Sequence, residues 1–437
     1  MRIRGYVVPL FVILVSAVIA WLAWPQNRLE ATKSPLPIVL STSRLDLNDA
    51  ESEARRRLAA SPSDAAAGVR LAEILVRKAR VDTDASRAIE AERVLRMVLD
   101  DEPGEYSALK LLGAVLLSQH RFVEAAHVAE RGIGINDRDA WNYGVLGDAY
   151  VELGRYHEAF DAFDTMVRLR PDAASYARVA YAHELQGRLD EALRHMQMAT
   201  EATSAHDPES LAWHHAQVGA LLFQRGRVDD AASAFARADH AFPNHPYARA
   251  GLARVAAARG NYQRALSMYR ALMTEAPTPE LAAVIGDLFA RIGNVREAES
   301  MYEQAETLER EGWEMEEPQP AALARMLAER GRKIDEAVTL AEMAAHTRQD
   351  IFTMDALAWA YFQAGRFADA RAASVQAMRT GSMDRRIRCH AAVIERATQM
   401  GGAIARARDA NLKGHDANRQ CAFESWVTEA QVGGPNL

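Results

Sequence analysis

Apolar residues recur at helical spacing from near Asp49 almost to the end of the 437-residue chain, broken only by short turns carrying Gly, Asp or Pro. The turns come at a fixed interval, so the pattern is that of a repeat. Aligned on Gly147, the unit reads Tyr143, Leu146, Gly147 and Tyr150, then Gly154, Ala159, Phe163 and Pro171. That is the span of a helical hairpin of about 34 residues. Gly154 ends the first helix, because the tight turn favours a residue that accepts positive φ. Pro171 closes the second helix, having no N–H with which to continue it. The expected fold class is all-α.

The frame recurs at Leu112, Gly113, Leu116, Ala125 and Ala129, and at Val179, Ala180, Gly187, Ala192 and Met196. Val218, Gly219, Leu222, Gly226, Ala231, Phe235 and Pro243 form another copy, and Leu252, Ala253, Ala256, Gly260, Ala265, Tyr269 and Pro277 the next. Ile285, Gly286, Phe289, Gly293, Ala298 and Tyr302 continue the series, and Leu357, Ala358, Tyr361, Gly365 and Ala370 restore it. Weaker copies need adjustment. Ala72, Leu75, Ala91, Leu95 and Pro103 fit if the turn at Asp82 to Asp84 is lengthened, and Leu323, Ala324, Gly331 and Ala337 fit with one extra residue. A last frame follows Ile387 and Ala391, with its turn at Gly401 and Gly402.

These residues closely resemble the signature of tetratricopeptide repeats (TPR). In that motif the small residue after the leucine lets the first helix approach the second, and the later alanine packs back against it. The resemblance implies a right-handed TPR superhelix, an α-solenoid of about nine helical hairpins. It covers residues 63 to 415. Two junctions are longer than the frame. One is Thr203 to Ser210, and the other is Leu308 to Pro320, where several glutamates surround Trp313 and Met315. A solvated extension of the preceding helix is the expected form of the second. Asn418 to Ala430 reads as a capping helix, with Phe423 and Trp426 covering the last repeat.

Ahead of the repeats, Arg2 and Arg4 precede an uncharged run from Tyr6 to Trp24. At about 1.5 Å per residue this run reaches across a hydrocarbon core of about 30 Å. Basic residues stay on the cytoplasmic side, which puts the body of the protein outside that membrane. Val18-Ile19-Ala20 also offers a signal-peptidase site, and cleavage there would export a soluble protein. The expected organisation is thus a transmembrane anchor or signal segment (1–24), a flexible linker (25–45), the solenoid with capping helices (46–430) and a disordered tail (431–437).

The net charge of -7 is modest and the two signs are interspersed, so no basic stripe suits nucleic acid. The sequence holds no His-Glu-x-x-His, no glycine-rich phosphate loop, no Gly-x-Ser-x-Gly elbow and no Cys-x-x-Cys. With the repeats occupying nearly the whole chain, no enzymatic activity, cofactor or metal is expected. The two cysteines, Cys389 and Cys421, are expected as separate buried thiols on neighbouring helices, although an exported compartment would permit a disulfide.

In TPR proteins the first helix of each hairpin lines a concave groove. Carried over by register, the resemblance assigns the inner positions to Trp141 and Asp148, Tyr181 and Glu184, Trp213 and Phe223, Tyr247 and Arg254, Asp287, then Phe352, Trp359 and Phe362. Rings with few charges offer large contact area at low entropic cost, which suits a protein or peptide partner. The carboxylate clamp of some TPR proteins is not reproduced, because Lys110 is the one lysine at such a position and Ala114 replaces the expected asparagine. The expected function is a protein–protein interaction scaffold or adaptor of the bacterial cell envelope. The alternative is an accessory subunit or assembly factor of an envelope enzyme, or of a secretion or cytochrome c maturation-type complex.

Overall fold

The computed structural model describes residues 44–82, 86–313, 320–399 and 421. Among these residues there are twenty helices and no strand. They form two compact units. The N-terminal unit comprises described residues 44–151 and 157–175. It holds α1 (Arg44–Ala60), α2 (Ala65–Asp82), α3 (Ser86–Asp101), α4 (Tyr106–Ser118), α5 (Phe122–Ile135) and most of α6 (Ala140–Glu152) and α7 (Tyr156–Leu169). The C-terminal unit comprises Glu152–Tyr156, residues 176–399 and residue 421. It contains most of α8 (Ala173–Leu185), then α9 (Leu189–Ala202), α10 (Pro208–Gln224), α11 (Val228–Ala241), α12 (Pro246–Ala258), α13 (Tyr262–Glu275) and α14 (Pro279–Arg291). The remainder are α15 (Val295–Trp313), α16 (Pro320–Glu329), α17 (Ile334–Thr347), α18 (Ile351–Gln363), α19 (Phe367–Ala377) and α20 (Arg385–Gln399).

The hairpins form for the reason their small residues suggest. Gly219 on α10 leaves room for the Phe235 ring of α11, which a Cβ would meet at 2.7 Å. Gly147 and Phe163, and Gly286 and Tyr302, repeat the arrangement. The alanines at the reciprocal position, Ala159, Ala231, Ala265, Ala298 and Ala370, are all buried. Helix ends follow from local chemistry. Gly226 sits at φ 74°, its N–H donates to Phe223 O at 3.0 Å, and Arg227 N–H donates to Leu222 O at 3.0 Å. That pair of bonds satisfies the last carbonyls of α10.

Over their described residues the longer junctions extend the helices beside them. Asp207 caps α10 by accepting from Ser210 N at 3.1 Å, and Pro208 occupies the first turn, so the insertion after Thr203 adds residues to the helix start. At the other junction α15 runs on to Trp313. The extra residue of the Gly331 frame is taken up at Lys333, which precedes α17 in left-handed conformation at φ 43°.

The cysteine expectation is corrected. Cys389 and Cys421 are disulfide-bonded, with Cα atoms 5.6 Å apart. Packed helices with axes about 8–10 Å apart bring Cα atoms on their contact line to about 3.4–5.4 Å, because each Cα lies about 2.3 Å off its axis. A disulfide tolerates that separation. No helix among the described residues is long and apolar enough to cross a membrane. The anchor or signal segment at Tyr6–Trp24, residues 25–43 of the linker, the turn at Gly401–Gly402, Phe423 and Trp426 of the capping helix, and the tail lie outside the described residues.

Candidate functional site

In the N-terminal unit the inward positions are occupied by packing. Trp141 on α6 is buried, and its indole N–H donates to Lys110 O at 3.1 Å. The Lys110 ammonium pairs with Asp139 and lies 5.5 Å from the centre of the Tyr106 ring. Burial works against the Asp139 charge, but the Lys110 hydrogen bond and charge outweigh it, so the carboxyl is held below its usual range. Asp148, on the same face of α6, is fully buried. Lys110 is therefore engaged within the unit.

In the C-terminal unit the inner face of the first helices divides into two kinds of position. Trp213, Phe223 and Trp359 are buried. Trp359 is fully enclosed, its ring stacked 3.9 Å from His390 and 4.9 Å from Phe362. At Trp359 the expectation of an open aromatic groove is thus not met, because His390 of the following repeat stacks on the ring. Tyr181, Glu184, Tyr247, Arg254, Phe352 and Phe362 keep partial exposure. The Arg254 guanidinium lies 4.3 Å from the centre of the Phe223 ring. Glu184 accepts a hydrogen bond from Gln224, yet burial, with some help from Asp384, pushes its carboxyl up to about 6.

Asp287 belongs to a buried ionic network that register alone did not reveal. It accepts from Tyr302 Oη at 2.8 Å and from Arg330 at 3.0 Å. Arg330 also pairs with Glu329, which Arg325 approaches at 3.4 Å. Asp355 faces Arg386 at 3.5 Å and His390 Nδ1 at 3.0 Å. Arg330, Arg386 and Glu329 fall between the nominal inward positions of the repeat, which is why they were missed.

The repeats of this unit curl until its first turns meet its last. Arg348 pairs with Glu152, and Tyr156 Oη accepts from Ile351 N–H at 2.8 Å. Arg379 donates to Gly154 O at 3.2 Å and to Gln349 O, and stacks 5.0 Å from the Tyr156 ring centre. A Cβ on Gly187, which sits at φ 69°, would overlap the Gly381 carbonyl. Arg385 reaches Gln224 O at 3.4 Å. The concave face is accordingly enclosed by a seam of hydrogen bonds and ion pairs.

Several buried side-chain polar atoms of this unit have no hydrogen-bond partner, among them Trp213 Nε1, Tyr247 Oη and Glu280 Oε2. Each such atom costs about 1–3 kcal/mol in a folded protein. Glu280 was missed by the sequence reading, although it occupies in α14 the place that Tyr247 occupies in α12, directly after the helix's first proline. Burial raises its carboxyl above the usual range. No group of three or more His, Cys, Asp or Glu that could hold a metal occurs among the described residues.

Tetratricopeptide-repeat family profiles match residues 145–207 and 222–288. No curated protein matches the chain. Among solved structures, the human IFIT1 dimer with m7Gppp-AAAA is 13% identical, with 78% of this chain and 77% of that one covered at a TM-score of 0.51. Yeast Tom70 is 15% identical, covering 85% and 90% at a TM-score of 0.43. A tetratricopeptide repeat protein from Parabacteroides merdae is 19% identical, covering 59% and 97% at 0.42. At 13% identity the likeness to the first of these concerns the fold alone. The chain carries tetratricopeptide repeats over residues 145–207 and 222–288 and is all-helical among its described residues, and repeats of this kind generally mediate protein–protein interaction.

Proposed function

We propose that this protein is an exported interaction scaffold of the bacterial cell envelope that binds a peptide or protein segment in the concave face of its C-terminal unit. The observation that carries the reading is the combination on that face of partly exposed Tyr181, Tyr247, Phe352 and Phe362 with buried polar atoms lacking partners. A surface that buries aromatic rings and leaves polar atoms unpaired gains from a ligand that supplies both contacts. Export is supported by two independent features. The basic N-terminus and uncharged Tyr6–Trp24 run suit an anchor or signal with the body outside the membrane. The Cys389–Cys421 bond suits an oxidising compartment.

The test is co-purification of the full chain from mild detergent extracts after cross-linking, compared with Tyr247→Ala and Phe362→Ala variants of unchanged helicity. Loss of captured proteins in both variants supports the groove. Capture unchanged by either variant removes it. Determining the N-terminal residue of the mature protein decides anchor against cleaved signal, and a start at Trp21 would make the protein soluble after export.

A further inference from the structure

Trp213 on α10, Tyr247 on α12 and Glu280 on α14 occupy one register position in three consecutive repeats. Each stands at the same sequence distance before the small residue of its frame, Gly219, Ala253 or Gly286. Their polar atoms are the buried indole Nε1, phenol Oη and carboxylate Oε2, and none has a hydrogen-bond partner. Read along the chain, the row offers a donor, a group that donates or accepts, and an acceptor. The charge of Glu280 acts on the Tyr247 phenol, so the second and third members lie within each other's field.

The spacing suits an extended polypeptide. Helices packed side by side lie about 8–10 Å apart, and three residues of extended chain advance about 10 Å. A strand crossing the helices thus presents a main-chain group to each repeat in turn. Glu280 adds a charge preference. Arg325 is the basic group whose field reaches it, and Arg325 makes its ion pair with Glu329 at 3.4 Å. A second cation is therefore the ligand group that best compensates the buried carboxylate.

We propose that this row is a ladder for an extended peptide segment carrying one basic group, whose ammonium or guanidinium is received by Glu280 while Trp213 and Tyr247 pair with main-chain groups of the same segment. The proposal deepens the groove reading and rests on it. It assigns the groove a cationic ligand, opposite in sign to a carboxylate clamp.

The experiment probes the full chain with positional-scanning arrays of synthetic peptides of about ten residues, long enough at about 3.3 Å per residue to cross three helices. Each array is made with free and with acetylated N-termini. The expected result is enrichment of Lys or Arg over Gln at one position, or of free over acetylated termini, by about tenfold. The two arms tell a side-chain cation from a terminal amine. Glu280→Gln, nearly isosteric, should abolish that enrichment while leaving flanking preferences in place. Tyr247→Phe should weaken binding to all bound peptides alike. Binding with no basic enrichment, or enrichment that survives in Glu280→Gln, overturns the ladder and leaves the groove reading standing. Absence of binding to any array peptide overturns both.

Discussion

Lys333 holds a left-handed backbone that a lysine Cβ disfavours, and its exposed side chain pairs with Glu306, which Arg310 also binds. The lysine is half exposed and Arg310 remains to pair with the buried Glu306, so the lost ion pair contributes little, whereas a non-glycine residue in this conformation costs about 1–2 kcal/mol. Lys333→Gly should therefore raise the stability of the C-terminal unit by about 1 kcal/mol, read as an increase in the urea midpoint. The buried histidines set a pH dependence. Burial lowers His214 and His245 from 6.5 to about 4, and also lowers His183, where Arg188 adds to the effect. Unfolding lets these rings take up protons, so their contribution is present above pH 6.5 and is lost as the pH falls toward 4. Glu184 runs the other way, since its raised folded value favours the protonated native state as the pH falls from about 6 toward 4.5. His215 is lowered as well and Glu280 is raised, so four histidines against two glutamates predict net destabilisation on acidification from pH 6.5, and His214→Gln should flatten the curve measured by denaturant titration at stepped pH.

At the scale of the helix, the hairpins were legible because their determinants are local and periodic. Gly147, Gly219 and Gly286 each admit a ring from the next helix, and one small residue per repeat is enough to give the register. Capping was legible in part. Asp207-Pro208 predicts a helix start, but whether the insertion forms loop or helix depends on packing that the sequence does not state. The disulfide was not legible because helix axes pack farther apart than a disulfide tolerates, whereas the facing Cα atoms lie closer than the axes. Its contribution can be measured. With a sequence separation of 32, loop-closure entropy alone suggests about 3–4 kcal/mol. Cys389→Ser, or reduction of the native chain, should lower the midpoint of the C-terminal unit by a corresponding amount, and an unchanged midpoint would show that the bond constrains nothing in the unfolded chain.

At the scale of the whole molecule, the seam and the orphaned polar row were not legible at all. Arg348 and Glu152 lie in different repeats far apart in sequence, and no periodicity links them. Likewise Glu280 reads as an ordinary first-turn acid until its buried oxygen is found without a partner. The groove residues were assigned by register, which says which helix face is inward and not whether a neighbour covers it. Trp359 shows the difference, since it is inward and fully enclosed. The seam makes a further expectation at this scale. Arg379→Ala removes bonds to Gly154 O and Gln349 O without touching a hairpin core, so hydrogen exchange should accelerate in residues 152–156 and 348–351 and stay unchanged in α12 and α14. Equal protection in both proteins would mean that the seam closes without Arg379.

A helical-repeat array with unattached ends behaves as a spring whose groove widens gradually under load. Joining Glu152, Gly154 and Tyr156 to Arg348, Ile351 and Arg379 turns that spring into a clasp, which either holds or releases. Entry then becomes a question of timing. A chain terminus can thread into a clasped ring, but an internal loop of a folded partner must wait for the clasp to spring open. For such a partner the association rate would level off at high concentration, at the frequency with which this seam parts.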